Sequence, residues 1–160
     1  MRIGHGFDAH KLVAGRKLIL AGEEFDFPLG LEGHSDADVV THALVDALLG
    51  AAGLGDIGMH FPDTDPAYRG ANSLDMLRTI TVAVESLGFV IANVDVTVYA
   101  QKPKIGPRRP AMVDKLAGAM SIDPYLVNVK ATTTEGMGFL GRGEGIAASA
   151  VVLLEQAQTD

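Results

Sequence analysis

The sequence predicts an α+β fold: an α/β sandwich in which a mixed β-sheet carries helices packed on one face. Three observations lead there. VIANVDVTVYAQ alternates apolar and polar side chains over β-branched residues, the signature of a strand with one buried face. GHSDADVVTHALVDALLGAAGLG repeats apolar residues at helical spacing. Along the chain the elements run strands, helix, helix, strand, helix, strand, strand, which gives a single interleaved sheet with no linker and no internal repeat.

Taken in order, residues 1–12 and 16–20 are apolar runs separated by Ala14-Gly15, two strands and a turn. Glu23 to Leu31 reads as a loop or short hairpin around Pro28 and Gly30. Ser35 is placed to cap the first helix, with Asp38 three residues on. Val40, Ala43, Leu44, Ala47, Leu48 and Ala51 form its apolar stripe, and Gly53 and Gly55 end it. GDIGMHFPDTDPAYRG is a long loop, of a length that in a compact domain usually carries function. A second helix begins at Asn72 or Ser73 and stops at Gly88. The alternating strand follows, then a third helix with Pro107 or Pro110 in its first turn. YLVNVKATTTE is a strand, and so is GEGIAASAVVLLEQ, where Gly143 and Gly145 mark the turn into it.

The chain has 160 residues, 48% of them hydrophobic and 21% charged, which suits one domain over 1–160 with one core. There is no cysteine, so any metal must be held by His, Asp or Glu. The formal net charge of −7 and the lack of a dense basic stripe argue against a nucleic-acid partner. No apolar run reaches the roughly 20 residues of a membrane span. MRIGHGFDAH lacks the basic-then-apolar pattern of a signal peptide, and a cytoplasmic location is expected.

FDAH poses the first chemical question. In a strand, Asp8 and His10 point to one side and share a target volume. Alone, such a pair is more often two polar residues on a wet strand face than half of a metal site. On the first helix, Asp38, His42 and Asp46 recur every four residues, opposite the apolar stripe. One reading is a solvated acid–His–acid ladder. The other is that His42 completes Asp8 and His10 as an open three-ligand site, with neighbouring acids orienting its ring. Gly33-His34-Ser35 leads into a helix N-terminus, where free N–H groups favour an anion; Ser35 as a plain cap and His34 as a plain loop residue fit equally. At the end of KATTTEGMG, Thr132, Thr133 and Glu135 can converge on a diphosphate and a hard cation such as Mg2+ or Mn2+, or simply continue a strand. Lys102, Lys104, Arg108 and Arg109 are positive, as solvated surface or as ligand contacts.

GHGFDAH, GHSDADVVTHALVDALLGAAGLGDIG, FPDTDP, NVDVTV, AQKPKI, NVKATTTE and GFLGRGEGIA together resemble the 2-C-methyl-D-erythritol 2,4-cyclodiphosphate synthase family, in order and at consistent spacing from Met1 to about Leu154. The resemblance implies a lyase of non-mevalonate isoprenoid biosynthesis. Its substrate is 4-diphosphocytidyl-2-C-methyl-D-erythritol 2-phosphate, whose own 2-phosphate attacks the β-phosphorus and expels CMP. It implies Zn2+ held by Asp8, His10 and His42, and a second cation, Mg2+ or Mn2+, held with the help of Glu135. His34 and Thr133 would stabilise the transition state. Ser35, Asp56, Ile57, Gly58 and the loop of Phe61, Pro62, Asp63, Thr64 and Asp65 would hold the methylerythritol phosphate. Ala100, Gln101, Lys102, Pro103, Lys104, Ile105 and Gly106, with Ala131, Thr132, Thr133 and Thr134, would form the cytidine pocket. The family's homotrimer, with active sites between subunits, is implied too. Phe139 and Arg142 resemble residues near a central cavity where some members bind an isoprenoid diphosphate. Two other readings compete: a metal-dependent phosphohydrolase that activates water, and a non-catalytic trimer that binds cytidine nucleotides.

Overall fold

The computed structural model describes residues 1–157. Its main sheet has the order β4-β1-β7-β5-β6, from β1 (Arg2–Ala14), β4 (Leu29–Leu31), β5 (Phe89–Tyr99), β6 (Val127–Thr132) and β7 (Gly145–Gln156). Neighbours are antiparallel except β5 and β6, which run parallel and are joined through helix α4 (Arg109–Met120). The sheet is therefore mixed, as the sequence predicts. The short β2 (Leu18–Leu20) and β3 (Glu23–Phe25) pair only with each other. The expected strand at 16–20 thus does not join β1. Gly15 turns the chain away at a φ of 78°, and Leu18 and Leu20 bury completely. Glu23 then ties this ladder to α4 through Arg108 and Lys115, each 2.7 Å from its carboxylate.

Helices cover one face. Helix α1 (Val39–Ala52) lies on β1 and β7, with α3 (Ser73–Ser86) beside it and α4 against β6. Residues alternate along β1: Gly4, Gly6, Asp8 and His10 face the helices, while Ile3, His5, Phe7 and Ala9 face away. Gly4 and Gly6 set the helix distance. A Cβ on Gly6 would lie 1.9 Å from the Ala43 carbonyl oxygen, and one on Gly4 would lie 1.9 Å from that of Ala47. Helix backbone therefore rests directly on strand backbone. Stepping two residues along β1 matches one turn of α1, so the step after Gly6 brings Asp8 beneath His42.

Helix α1 is buried nearly all round, not only along the expected stripe, because β2 and α3 close over its outer side. Its N-cap is Asp38, not Ser35. Asp38 is fully buried and accepts from the amides of Ala21, Gly22 and Thr41 and from the Thr41 hydroxyl. Four donors replace the lost water, although burial still pushes its pKa up. Asn72 caps α3, and Pro110 occupies the first turn of α4. The long loop holds a four-residue helix, α2 (Ile57–His60), capped by Asp56, and a 3-10 turn at Pro66–Tyr68. β6 ends at Thr132, so Thr133, Thr134 and Glu135 leave the ladder before a short helix, α5 (Gly138–Gly141). No helix among the described residues is long and apolar enough to cross a membrane.

Candidate active site

Asp8 and His10, two apart on β1, and His42, on the first turns of α1, meet at one point. His10 Nε2 lies 2.8 Å and His42 Nδ1 lies 3.1 Å from Asp8 Oδ2. The two ring nitrogens are 3.3 Å apart, and one ligand atom from each residue falls within 4.8 Å of the other two. A carboxylate oxygen and two imidazole nitrogens converging in this way fit a divalent cation with an open coordination position. Burial opposes ionisation of Asp8, but hydrogen bonds and positive charge from His10 and His42 win and hold its carboxyl well below the ordinary range. Burial also disfavours protonated His10, and its contacts with Asp8 outweigh that and raise its pKa.

Each ring has a partner at its other nitrogen. His10 Nδ1 is 2.6 Å from the Glu32 carbonyl oxygen. His42 Nε2 is 2.9 Å from Ser73 Oγ and 3.1 Å from Ser35 Oγ. The expected supporting acids make no hydrogen bond to a His42 ring nitrogen. Asp38 turns inward to its amides, and Asp46 accepts from the Ile57 amide at 2.7 Å. Asp46 nonetheless lines the cleft. Burial, then the negative charges of Asp56 and Asp8, raise its pKa.

The cleft over the cluster measures about 530 Å³. His34, Ser35, Ile57, Gly58, Phe61, Pro62 and Asp63 line it with the three cluster residues, as does Tyr68, which the sequence did not single out. Tyr68 packs edge-on against Phe61, with ring centroids 5.3 Å apart. Thr64 and Asp65 line an adjoining depression with Arg16 and Arg69. Arg16 donates to the Gly33 and Ser35 carbonyl oxygens at 2.7 and 2.8 Å, clamping the segment that carries His34. Asp56 lies outside the lining; its carboxylate accepts from the Met59 amide at 3.0 Å.

The remaining expected residues lie elsewhere on the chain. Across the sheet Asp8 pairs with Ala148, Ala148 with Val98, and Val98 with Ala131. Three interstrand spacings make about 14 Å, which separates Ala131, next to the end of β6, from Asp8 within one chain. There the Glu135 amide donates to Thr133 Oγ1 at 3.2 Å, and Glu135 holds a left-handed φ of 54°. Gln101, Lys102 and Arg142 line a separate small depression; Phe139 is exposed, and Arg142 pairs with Glu144 at 2.6 Å.

A mixed sheet carrying helices on one face, with an Asp–His–His cluster in a cleft at its edge, defines a single-core α+β protein built to bind a divalent cation. The chain belongs to the YgbB family, whose model matches residues 1–155. It is 58% identical to a 2-C-methyl-D-erythritol 2,4-cyclodiphosphate synthase of Geobacter sulfurreducens, over 98% of this chain and 99% of that one. Among solved structures it is similar to the bifunctional IspDF of Campylobacter jejuni (45% identity, TM-score 0.94), covering 97% of this chain but only 42% of that longer one. It is also similar to a 2C-methyl-D-erythritol-2,4-cyclodiphosphate synthase in its CDP-bound form (42% identity, TM-score 0.88), covering 96% of this chain and 100% of that one.

Proposed function

We infer that this chain converts 4-diphosphocytidyl-2-C-methyl-D-erythritol 2-phosphate to 2-C-methyl-D-erythritol 2,4-cyclodiphosphate and CMP, in isoprenoid precursor biosynthesis. The observation that carries this reading is the Asp8–His10–His42 cluster, set in a chain of this family. A 2-phosphate oxygen forms the new bond to the β-phosphorus, the bond from that phosphorus to the bridging oxygen breaks, and CMP leaves with that oxygen. The attacking phosphate is already anionic, so no protein nucleophile is required. The chain must instead fold a flexible polyanion and place donors where charge develops.

Asp8, His10 and His42 hold Zn2+, and Glu135 helps to hold Mg2+ or Mn2+. When bound, these cations supply Lewis-acid neutralisation at the diphosphate. His34 and Ser35 face the same cleft and donate to phosphate oxygens. Thr133 does so from the other half of the site, while the 100–106 and 131–134 segments take the cytidine. Gly58 and the Phe61–Asp65 loop enclose the methylerythritol phosphate, with Asp56 at its hydroxyls.

Those halves belong to adjacent subunits of a homotrimer. Two observations support it: the separation of about 14 Å within a chain, and the uncovered sheet face. Ile3 is 72% and Phe7 55% exposed there, beside Val151, on a face a lone soluble chain would not leave apolar. Phe139 and Arg142 border the central cavity, where an isoprenoid diphosphate can bind. The enzyme acts in the cytoplasm as one domain.

Subunit mixing tests the reading. His42→Ala and Glu135→Gln homotrimers are each expected to be inactive. Unfolded together and refolded, they should regain a fraction of wild-type CMP release, because some interfaces pair two intact halves. No recovery in mixed trimers of confirmed composition overturns the intersubunit site. Inorganic phosphate in place of a cyclic diphosphate in the 31P spectrum overturns the reaction in favour of phosphohydrolysis.

A further inference from the structure

The two histidines of the cluster turn different nitrogens toward Asp8: Nε2 from His10 and Nδ1 from His42. A neutral imidazole offers a lone pair at one nitrogen only, so each ring must carry its proton on the far side. For His10 this is automatic, because the partner of Nδ1 is the Glu32 carbonyl, which can only accept. For His42 the partners are two hydroxyls, Ser73 at 2.9 Å and Ser35 at 3.1 Å, each of which can donate or accept. A Ser73 hydroxyl that donated to Nε2 would force the proton onto Nδ1 and block the ligand position.

Asp36 removes that ambiguity. Ser73 Oγ donates to Asp36 Oδ1, and the Ser73 amide donates to Asp36 Oδ2 at 3.0 Å. With its one proton engaged, Ser73 Oγ can only accept from His42 Nε2–H. Ser73 is fully buried at the start of α3, so no water competes for it. The chain Asp36–Ser73–His42 does for one ring what a backbone carbonyl does for the other.

We propose that Ser73 and Asp36 are positioning residues that fix His42 in its Nε2–H form and so keep Nδ1 free as a metal ligand. This rests on the zinc reading of the cluster. It has a corollary for Ser35, whose Oγ accepts from the Ala37 amide at 3.1 Å and also faces His42 Nε2. With the imidazole proton on Nε2, the Ser35 hydroxyl proton is free to turn into the cleft toward a substrate oxygen.

The test measures zinc affinity of the purified full chain by competition with a chromophoric chelator, with circular dichroism as the fold check. Ser73→Ala is expected to weaken zinc binding about 10- to 100-fold. Asp36→Ala should weaken it too. Asp36→Asn, which keeps an acceptor oxygen for the Ser73 hydroxyl but turns a donor toward the Ser73 amide, should restore part of the affinity. Long-range 1H–15N spectra of the zinc-loaded wild type should show the His42 proton on Nε2, and those of apo Asp36→Ala should show it moved toward Nδ1. Folded Ser73→Ala with wild-type zinc affinity overturns the proposal, as does a wild-type His42 protonated at Nδ1. If wild type binds no zinc, or His42→Ala binds it normally, the metal reading itself falls.

Discussion

Replacing Gly6 by alanine asks whether strand–helix contact sets the metal geometry. The added methyl would sit 1.9 Å from the Ala43 carbonyl oxygen and 2.8 Å from the Ala47 amide nitrogen. Both are helix backbone, so neither can rotate away. Restoring ordinary contact requires α1 to lift from β1 by about 1.5 Å, because close-packed interiors do not absorb a clash of this kind. His42 precedes Ala43 in the same turn, and its Nδ1 is now 3.1 Å from Asp8 Oδ2. The lift opens that gap to roughly 4 Å or more, against a tolerance of about 0.2 Å for a zinc ligand. Zinc affinity should fall by at least the 10- to 100-fold typical of losing a ligand's support. Stability should fall by about 3 kcal/mol, the upper end for overpacking. Gly4→Ala is the control. It meets the Ala47 carbonyl at the same 1.9 Å, one turn further from His42. It should cost similar stability and less zinc affinity. Urea unfolding of the apo protein and chelator competition read the two quantities separately. Equal zinc affinity in the two variants would refute the reasoning, since the contact would then not be what places His42.

The Glu23 carboxylate is expected to shape the acid limb of the stability curve. The hydrogen bond from Lys115, with the charges of Lys115 and Arg108, outweighs burial and holds its pKa below the ordinary 4.5. Below 4.5 the unfolded chain therefore binds the proton first, so the stabilisation is complete above that pH and is lost as pH falls through the depressed folded value. Glu23→Gln should cost about 1–3 kcal/mol at neutral pH and flatten the slope below 4.5 in urea titrations; an unchanged slope would assign it to other acids. If the uncovered face forms the proposed trimer, Phe7→Asp should shift the sedimentation profile from trimer toward monomer. A variant that remains fully trimeric would show that this face is not the contact.

The strands at both ends of the chain, the three longer helices and the metal cluster were legible because each leaves a periodic or spaced trace. Asp8 and His10 share a face by strand period, and His42 stands in a helix whose glycine stop and apolar repeat are plain. What escaped was decided by tertiary contact. Ser35 has every local qualification for a cap, yet Asp38 takes the role because the amides of Ala21 and Gly22 arrive from another segment. Ser73 reads as one more helix-start residue; nothing near it in sequence says that Asp36 and His42 converge on its hydroxyl. Asp56, which the resemblance assigns to the substrate, also caps α2 through one carboxylate oxygen, a role no local spacing marked. The distance between the Thr133–Glu135 turn and the cluster depends on strand order, which no local pattern encodes.

The glycines of β1 also have a consequence for how the chain finds its fold. A slip of one residue against β7 would turn every side chain of β1 to the opposite face. His5 and Phe7 would then lie under α1, where the helix backbone leaves no room even for a methyl at Gly4 and Gly6. Mispaired chains are therefore excluded by sterics before any metal or substrate is involved, and the two smallest residues of the strand act as its register lock.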